Sequence, residues 1–158
     1  MLSQFEHLRR ETDGRYASDA ELEFAIDYVR SFNLRVQTYL KLQEIEAALV
    51  QQTYLQMRAL NPAWFVHGNT DVSAKWKRDT IRVLRYVAVA VLTHDPDTFR
   101  ERMLLWFQTI MRAFGAQQSC SMTYQVLQDI IRQHLTAPQA ELVCPLLEMS
   151  RRAFGAAS

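Results

Sequence analysis

The sequence has 158 residues, of which 49% are hydrophobic and 22% charged, and its formal net charge is +1 at pH 7. This length suits one domain with a single substantial core. Mixed charges that nearly cancel argue against nucleic acid as the main partner, because phosphate binding requires clustered Lys and Arg. No apolar run of about 18 residues occurs, so we expect no membrane insertion. The first residues, MLSQFEH, lack the basic start and apolar core of a secretory signal.

Glycine and proline divide the first part of the chain into helical segments, and no alternating strand pattern bounded by turns occurs. We predict a short first helix over residues 2–10. A second helical segment begins at the capping box of residues 18–21, Ser-Asp-Ala-Glu, and ends at Asn61-Pro62. Its apolar residues recur at helical spacing. The sequence leaves open whether this segment is one helix or two with a bend near Asn33.

The second part of the chain continues the helical pattern. A helix over residues 72–93 is expected to be central and buried, since residues 87–92 are apolar on all sides. Asp95-Pro96 starts the next helix, which ends at Gly115, and two more are predicted over 121–135 and 138–154. We therefore predict an all-α, globin-like fold of roughly seven helices in one domain, residues 1–158.

The two cysteines, Cys120 and Cys144, form neither a disulfide framework nor a metal-ligand spacing, so we expect free thiols and no metal site. Cys144 lies inside the last predicted helix and is expected to be buried. Cys120 precedes a predicted helix start and is expected to be better exposed.

No catalytic constellation is apparent. The chain lacks a Ser/His/Asp or Cys/His set, a glycine-rich phosphate loop and paired acids at a defined spacing, so we expect no catalytic residues and no enzymatic activity. A globin-like haem or small-ligand sensor is the alternative of a different class. We do not expect haem, because none of the histidines lies on a clearly apolar helical face with a second ligand opposite. They are His7, His67, His94 and His134.

The most informative stretch is residues 76–86, WKRDTIRVLRY, with His67-Gly68-Asn69 upstream. It resembles the pigment-binding helix of phycobiliproteins, the light-harvesting proteins of phycobilisomes. In that family the helix opens with a cysteine that bonds a linear tetrapyrrole (a bilin), followed by Leu-Arg-Asp or Ala-Arg-Asp, an aromatic pair and Leu-Arg-Tyr. Arg78-Asp79 and Leu84-Arg85-Tyr86 stand at the matching positions. Trp76 replaces the cysteine.

The resemblance covers about residues 11–152 and implies a globin-like fold with an additional N-terminal helical extension. It also implies a bilin pocket, for which an asparagine at 69 resembles the one beside the pigment in the family. In such a pocket a carboxylate faces the pyrrole nitrogens and a guanidinium holds a propionate through two parallel hydrogen bonds. Asp79 and Arg78 are expected in these roles; the alternative is that both lie on a solvated face. The pocket candidates are Asn69, Trp76, Arg78, Asp79 and Arg82.

Departures from the family pattern change the expected cofactor chemistry. Trp76 removes the thioether anchor, so no covalent bilin is expected at position 76, and noncovalent bilin binding stays open. Ile81 and Arg82 replace the usual Asp and Tyr and so alter the pocket floor. The implied function is that of a phycobilisome-associated protein that binds bilin noncovalently or acts in phycobilisome assembly, capping or turnover.

The resemblance further implies assembly with a second copy or with another phycobiliprotein-like subunit. Glu11 and Arg85 occupy positions that pair across a two-fold or pseudo-two-fold interface in the family. The alternative is that both are ordinary surface charges. Val89 stands where the family often has an interface tyrosine. The expected apolar patch is Leu2, Phe5, Phe24, Tyr28 and Phe32. Phycobilisome components are the expected partners, in the cytoplasm and peripheral on the thylakoid.

Overall fold

The computed structural model describes the backbone of residues 2–155 and the side chains from residue 4 onward. Helices form almost all of this range, which confirms the predicted all-α, globin-like fold class. The π-helical segment Arg100–Leu104 joins α4 directly to α5. The α-helices are α1 (Leu2–Glu11), α2 (Asp19–Leu60), α3 (Ser73–Thr93), α4 (Pro96–Phe99), α5 (Leu105–Ala113), α6 (Gln117–His134) and α7 (Ala137–Gly155).

Helix α2 is one continuous helix of 42 residues, without a break at Asn33. Its start is the predicted capping box. Ser18 Oγ accepts from the Glu21 N–H at 3.3 Å, and Glu21 Oε2 accepts from the Ser18 N–H at 2.8 Å. The helix ends at Asn61, whose side chain accepts from the Ala63 N–H and so starts the 3₁₀ turn Pro62–Phe65.

A two-stranded hairpin, which the sequence pattern did not predict, precedes α3. Val66–His67 (β1) pairs antiparallel with Thr70–Asp71 (β2), and Gly68-Asn69 forms the connecting loop. Gly68 has φ +60°, a conformation that costs glycine little because it has no Cβ. Two-residue strands are too short to show an alternating pattern in sequence, so the hairpin was not predicted.

The core lies between the C-terminal half of α2 and helices α3, α6 and α7. Val87, Ala88, Ala90 and Val91 of α3 are buried, as predicted. Val89 is 48% exposed, so burial of α3 on all sides is wrong at this position. Side chains from residue 4 to residue 34 include none that is buried, which fits the predicted N-terminal helical extension. Within residues 2–155, no helix has both the length and the hydrophobicity needed to span a bilayer.

The extension is joined to the core by Arg35, the first buried residue of α2. Its side chain is 0% exposed. Its guanidinium donates hydrogen bonds to the carbonyl oxygens of Leu92 and Tyr28, and its centre lies 3.9 Å from the centroid of the Tyr28 ring. Because the last carbonyls of a helix lack partners within the helix, the bond to Leu92 caps α3 and ties it to α2.

Candidate functional site

A cavity of about 460 Å³ opens between the hairpin, the first turns of α3, and helices α5 and α6. Its volume lies in the range of small-molecule sites, roughly 300–1,000 Å³. Aromatic and apolar side chains make up most of its wall. The lining residues are Ala63, Trp64, Val66, His67, Thr70, Val72, Lys75, Trp76, Asp79, Thr80, Phe107, Met111, Phe114, Gly115, Ala116, Ser119, Cys120, Thr123 and Tyr124.

Trp76 is a fixed part of the cavity wall. Its half-buried ring packs edge-on against Phe65, with ring centroids 5.4 Å apart, and lies 6.1 Å from the Tyr54 ring. The indole Nε1–H donates to Thr123 Oγ1 at 3.3 Å, which joins α3 to α6. The Thr123 hydroxyl in turn donates to the Ser119 carbonyl oxygen at 2.8 Å. The indole is therefore held on both its apolar and its polar side.

Asp79 lies one turn after Trp76, and its half-buried side chain lines the cavity. Burial raises the pKa of Asp79, and the positive charges of Lys75, Arg78 and Arg82 oppose that shift. In the part of the chain that the structure describes, no hydrogen-bond donor or ion-pair partner reaches the Asp79 carboxylate. The cavity thus contains an acceptor group for which the described residues supply no donor.

Three other pocket candidates lie outside the lining. Asn69 is exposed at the tip of the hairpin, and Arg78 is exposed on α3. Arg82 is also exposed, with its guanidinium 5.5 Å from the centroid of the Trp106 ring. Helical geometry accounts for the difference between Arg78 and Asp79, because adjacent residues point about 100° apart. A pigment-binding role for these three residues stays a prediction.

Helix α3 contributes one basic residue to the cavity lining, Lys75, which was not among the residues predicted from the sequence. It lies four residues before Asp79, hence on the same helix face. Its Nζ is 4.4 Å from the centroid of the Phe114 ring, and both side chains are exposed at the cavity mouth. The i, i+4 spacing of Lys75 and Asp79 was visible in the sequence, but only the fold shows that this face borders a cavity.

The inner wall carries two groups of α6, Cys120 and Tyr124, one helical turn apart. The expected exposure of Cys120 is wrong: α6 begins at Gln117, so Cys120 lies inside the helix and is buried. Burial, assisted by the negative charge of Asp79, raises the pKa of Cys120 to about 12. Burial likewise raises the pKa of Tyr124 well above its ordinary value. Both groups are therefore protonated at neutral pH.

The remaining cysteine, Cys144, lies outside the cavity lining. Cys144 is buried in α7, as predicted, and both cysteines are free thiols. Within residues 2–155, no group of three or more His, Cys, Asp or Glu side chains is placed to hold a metal ion.

The two interface candidates lie on different elements and do not meet within the chain. Glu11 is exposed on α1, with Oε1 3.5 Å from His7 Nε2. Arg85 binds Glu46 of α2 through two hydrogen bonds. Their pairing between subunits stays a prediction.

The surface of the N-terminal extension carries several exposed apolar side chains among its charged ones. Phe5 packs edge-on against Phe24, with ring centroids 5.0 Å apart, and both Phe5 and Phe32 are exposed. Val29, 72% exposed, and Ile26 enlarge this surface. The Leu2 side chain lies outside the described residues. An apolar surface of this kind is typical of a protein–protein contact.

Comparison with known proteins identifies the family. The family model described as phycobilisome protein matches residues 8–154, which include the cavity, Glu11 and Arg85. A search of curated proteins found no match. The family match confirms the resemblance drawn from residues 76–86. The chain belongs to the phycobilisome protein family.

Proposed function

We propose that this protein is a non-enzymatic phycobilisome component that binds a bilin noncovalently in the cavity between α3, α5 and α6. The observation that carries this proposal is the Asp79 carboxylate, which lines an aromatic cavity without a donor from the described residues. A linear tetrapyrrole supplies the missing donors through its ring N–H groups. Its flat, conjugated rings fit a wall built from Trp64, Trp76 and Phe107.

The charges of the cavity suit two kinds of group on such a ligand. Asp79 accepts from ring nitrogens and favours their protonated form. Lys75, at the exposed mouth, attracts a propionate carboxylate, the role that the sequence analysis gave to Arg78. Because Trp76 holds the position of the family's attachment cysteine, the pigment is retained by packing, hydrogen bonds and charge alone.

Partner binding is the second part of the proposed function. The exposed apolar side chains of the N-terminal extension support contact with a second copy or with another phycobiliprotein-like subunit. Glu11 and Arg85 then set the register of that contact, and the protein acts in phycobilisome assembly, capping or turnover. We place it in the cytoplasm, peripheral on the thylakoid through the phycobilisome.

Titration of the purified protein with biliverdin tests the pigment proposal. We expect a red-shifted and sharpened absorption band that saturates at one equivalent and disappears on denaturation. Asp79→Asn should weaken binding and shift the band, whereas Asp97→Asn, an exposed aspartate on α4 outside the cavity, should leave both unchanged. Zinc-enhanced fluorescence that survives a denaturing gel would show covalent pigment and contradict noncovalent retention.

A haem or small-ligand sensor is the second candidate, and one observation favours it: His67 lines the cavity mouth. An imidazole there is placed to reach a ligand that enters the cavity. Addition of haemin distinguishes the two functions. The haem sensor would be favoured if the protein does not bind biliverdin and shows a Soret band with haemin that His67→Ala removes.

A further inference from the structure

We propose that Tyr124 and Asp79 together recognise a lactam ring, a cyclic amide whose carbonyl and N–H share one edge, at the inner end of the cavity. The Tyr124 hydroxyl donates to the carbonyl oxygen, and the Asp79 carboxylate accepts from the neighbouring N–H. This inference rests on the proposed function and specifies which part of the ligand binds to the inner wall.

The first observation is the burial of Tyr124. Its side chain is 3% exposed, and its ring packs edge-on against Phe154, with centroids 5.4 Å apart. Among residues 4–155, no side chain or carbonyl forms a hydrogen bond with the Tyr124 hydroxyl. In the same range, every fully buried side-chain oxygen or nitrogen has a hydrogen-bond partner. An oxygen without a partner must therefore be in contact with solvent-accessible space. The hydroxyl of Tyr124 therefore reaches accessible space, which at this residue is the cavity.

The second observation is the position of Asp79 relative to Tyr124. The Trp76–Thr123 hydrogen bond joins α3 to α6 at this level. Asp79 follows Trp76 by three residues on α3, Tyr124 directly follows Thr123 on α6, and both residues line the cavity. The negative charge of Asp79 contributes to the raised pKa of both Cys120 and Tyr124, in agreement with their proximity.

The hydrogen-bonding chemistry of Tyr124 and Asp79 determines which group of a ligand can bind between them. A protonated phenol is used here as a donor and requires an acceptor, whereas an ionised carboxylate only accepts. A lactam offers both complements on adjacent atoms. Linear tetrapyrroles end in lactam rings, whereas a closed porphyrin ring has none. The inner wall therefore favours an open-chain tetrapyrrole over a macrocycle with the same carboxylate arms.

Tyr124→Phe is the variant that tests this role, since it removes one oxygen and keeps the ring that packs on Phe154. The matched control is Tyr86→Phe, an exposed tyrosine of α3 outside the cavity lining. Both are titrated with biliverdin and with protoporphyrin IX, after thermal melts have compared their folding with the natural protein. We expect Tyr124→Phe to weaken biliverdin binding about tenfold, to leave protoporphyrin binding unchanged, and Tyr86→Phe to change neither.

An infrared difference spectrum supplies a measurement that does not depend on affinity. In the natural protein the lactam carbonyl stretch of bound biliverdin should lie at lower frequency than in Tyr124→Phe, because the hydrogen bond weakens the C=O bond. Biliverdin that binds both proteins equally, with the same carbonyl frequency, would overturn the role of Tyr124 and leave the proposed function intact. Equal weakening of biliverdin and protoporphyrin would also overturn it, since that result indicates packing. Failure of the natural protein to bind biliverdin would overturn the proposed function and this inference with it.

Discussion

Arg85 of α3 and Glu46 of α2 form an ion pair with two hydrogen bonds, Nε to Oε2 at 3.0 Å and Nη2 to Oε1 at 2.5 Å. Arg85 is the interface arginine that the family resemblance predicts, and here its charge already has a partner within the chain. An acidic residue of another subunit must share or displace Glu46. The Arg85 side chain is 67% exposed, so an incoming acidic group can reach it, but the Glu46 side chain is only 20% exposed. Sharing Arg85 therefore costs less than displacing Glu46, which would leave a mostly buried carboxylate without its partner.

The first prediction concerns dimerisation through Glu11 and Arg85. Glu11→Arg should weaken association roughly tenfold or more, because it places like charges together. The double change Glu11→Arg, Arg85→Glu should restore part of the affinity. Full recovery is not expected, since the carboxylate introduced at position 85 faces that of Glu46. Analytical ultracentrifugation measures the effect, with the natural partner present if the assembly is a heterodimer.

A control separates the two pairings of Arg85. Glu46→Gln releases Arg85 from its partner on α2 and should strengthen association if the arginine serves an interface. If Glu11→Arg, the double variant and Glu46→Gln all sediment like the natural protein, the family interface is absent here.

The second prediction concerns the attachment position. Trp76→Cys places a thiol on α3 one turn before Asp79 and removes the indole that fills this part of the cavity. With a bilin and a suitable lyase, this variant should give zinc-enhanced fluorescence on a denaturing gel. Loss of the indole contacts and of the bond to Thr123 should destabilise the fold by about 2–3 kcal/mol.

Trp76→Ala is the matched control, since it opens the same space without a thiol. It should bind bilin only noncovalently. If Trp76→Cys folds yet takes up no pigment, with or without the lyase, the cavity does not hold a bilin in a position that the thiol can reach. Ile81 and Arg82, expected to form the pocket floor, lie outside the cavity lining and do not explain such a result.

The third prediction links Asp79 to pH. Burial raises its pKa above the ordinary value of 3.8, so ionised Asp79 disfavours the folded state. Without ligand, Asp79→Asn should therefore have a larger free energy of unfolding than the natural protein at pH 7. The difference should shrink as the pH falls through the raised pKa and vanish below about 3.8, where the carboxyl is neutral in both states. Urea titrations at several pH values measure it; a constant difference at all pH values would contradict the electrostatic cause.

The fourth prediction concerns the two thiols. Burial raises the pKa of Cys120 and of Cys144, and the thiolate is the reactive form. A disulfide reagent at pH 8 should therefore modify both thiols much more slowly in the folded protein than in guanidinium chloride. Bound bilin should slow modification of Cys120 further and leave Cys144 unchanged, because only Cys120 lines the cavity. Rapid modification of Cys120 in the native protein would show that the inner wall opens to solvent.

Local signals in the sequence determined most of the secondary structure. The capping box at Ser18 and the stop at Asn61-Pro62 fix the ends of α2, because they act through hydrogen bonds and backbone restrictions within a few residues. The Asp95 cap and Pro96 likewise start α4. The motif around Arg78-Asp79 and Leu84-Arg85-Tyr86 also identified the family, as the family match confirms.

Only the tertiary structure decided which side chains share the cavity and which face solvent. Periodicity predicted Val89 to be buried, but α3 packs on neighbours that leave one face uncovered. The cavity brings together residues from two helices that are far apart in sequence, Lys75 of α3 with Cys120 and Tyr124 of α6. No local sequence pattern predicts that these residues lie close together. Helix ends depend on nearby backbone hydrogen bonds, whereas burial and cavity lining depend on the distant segments that pack against each face.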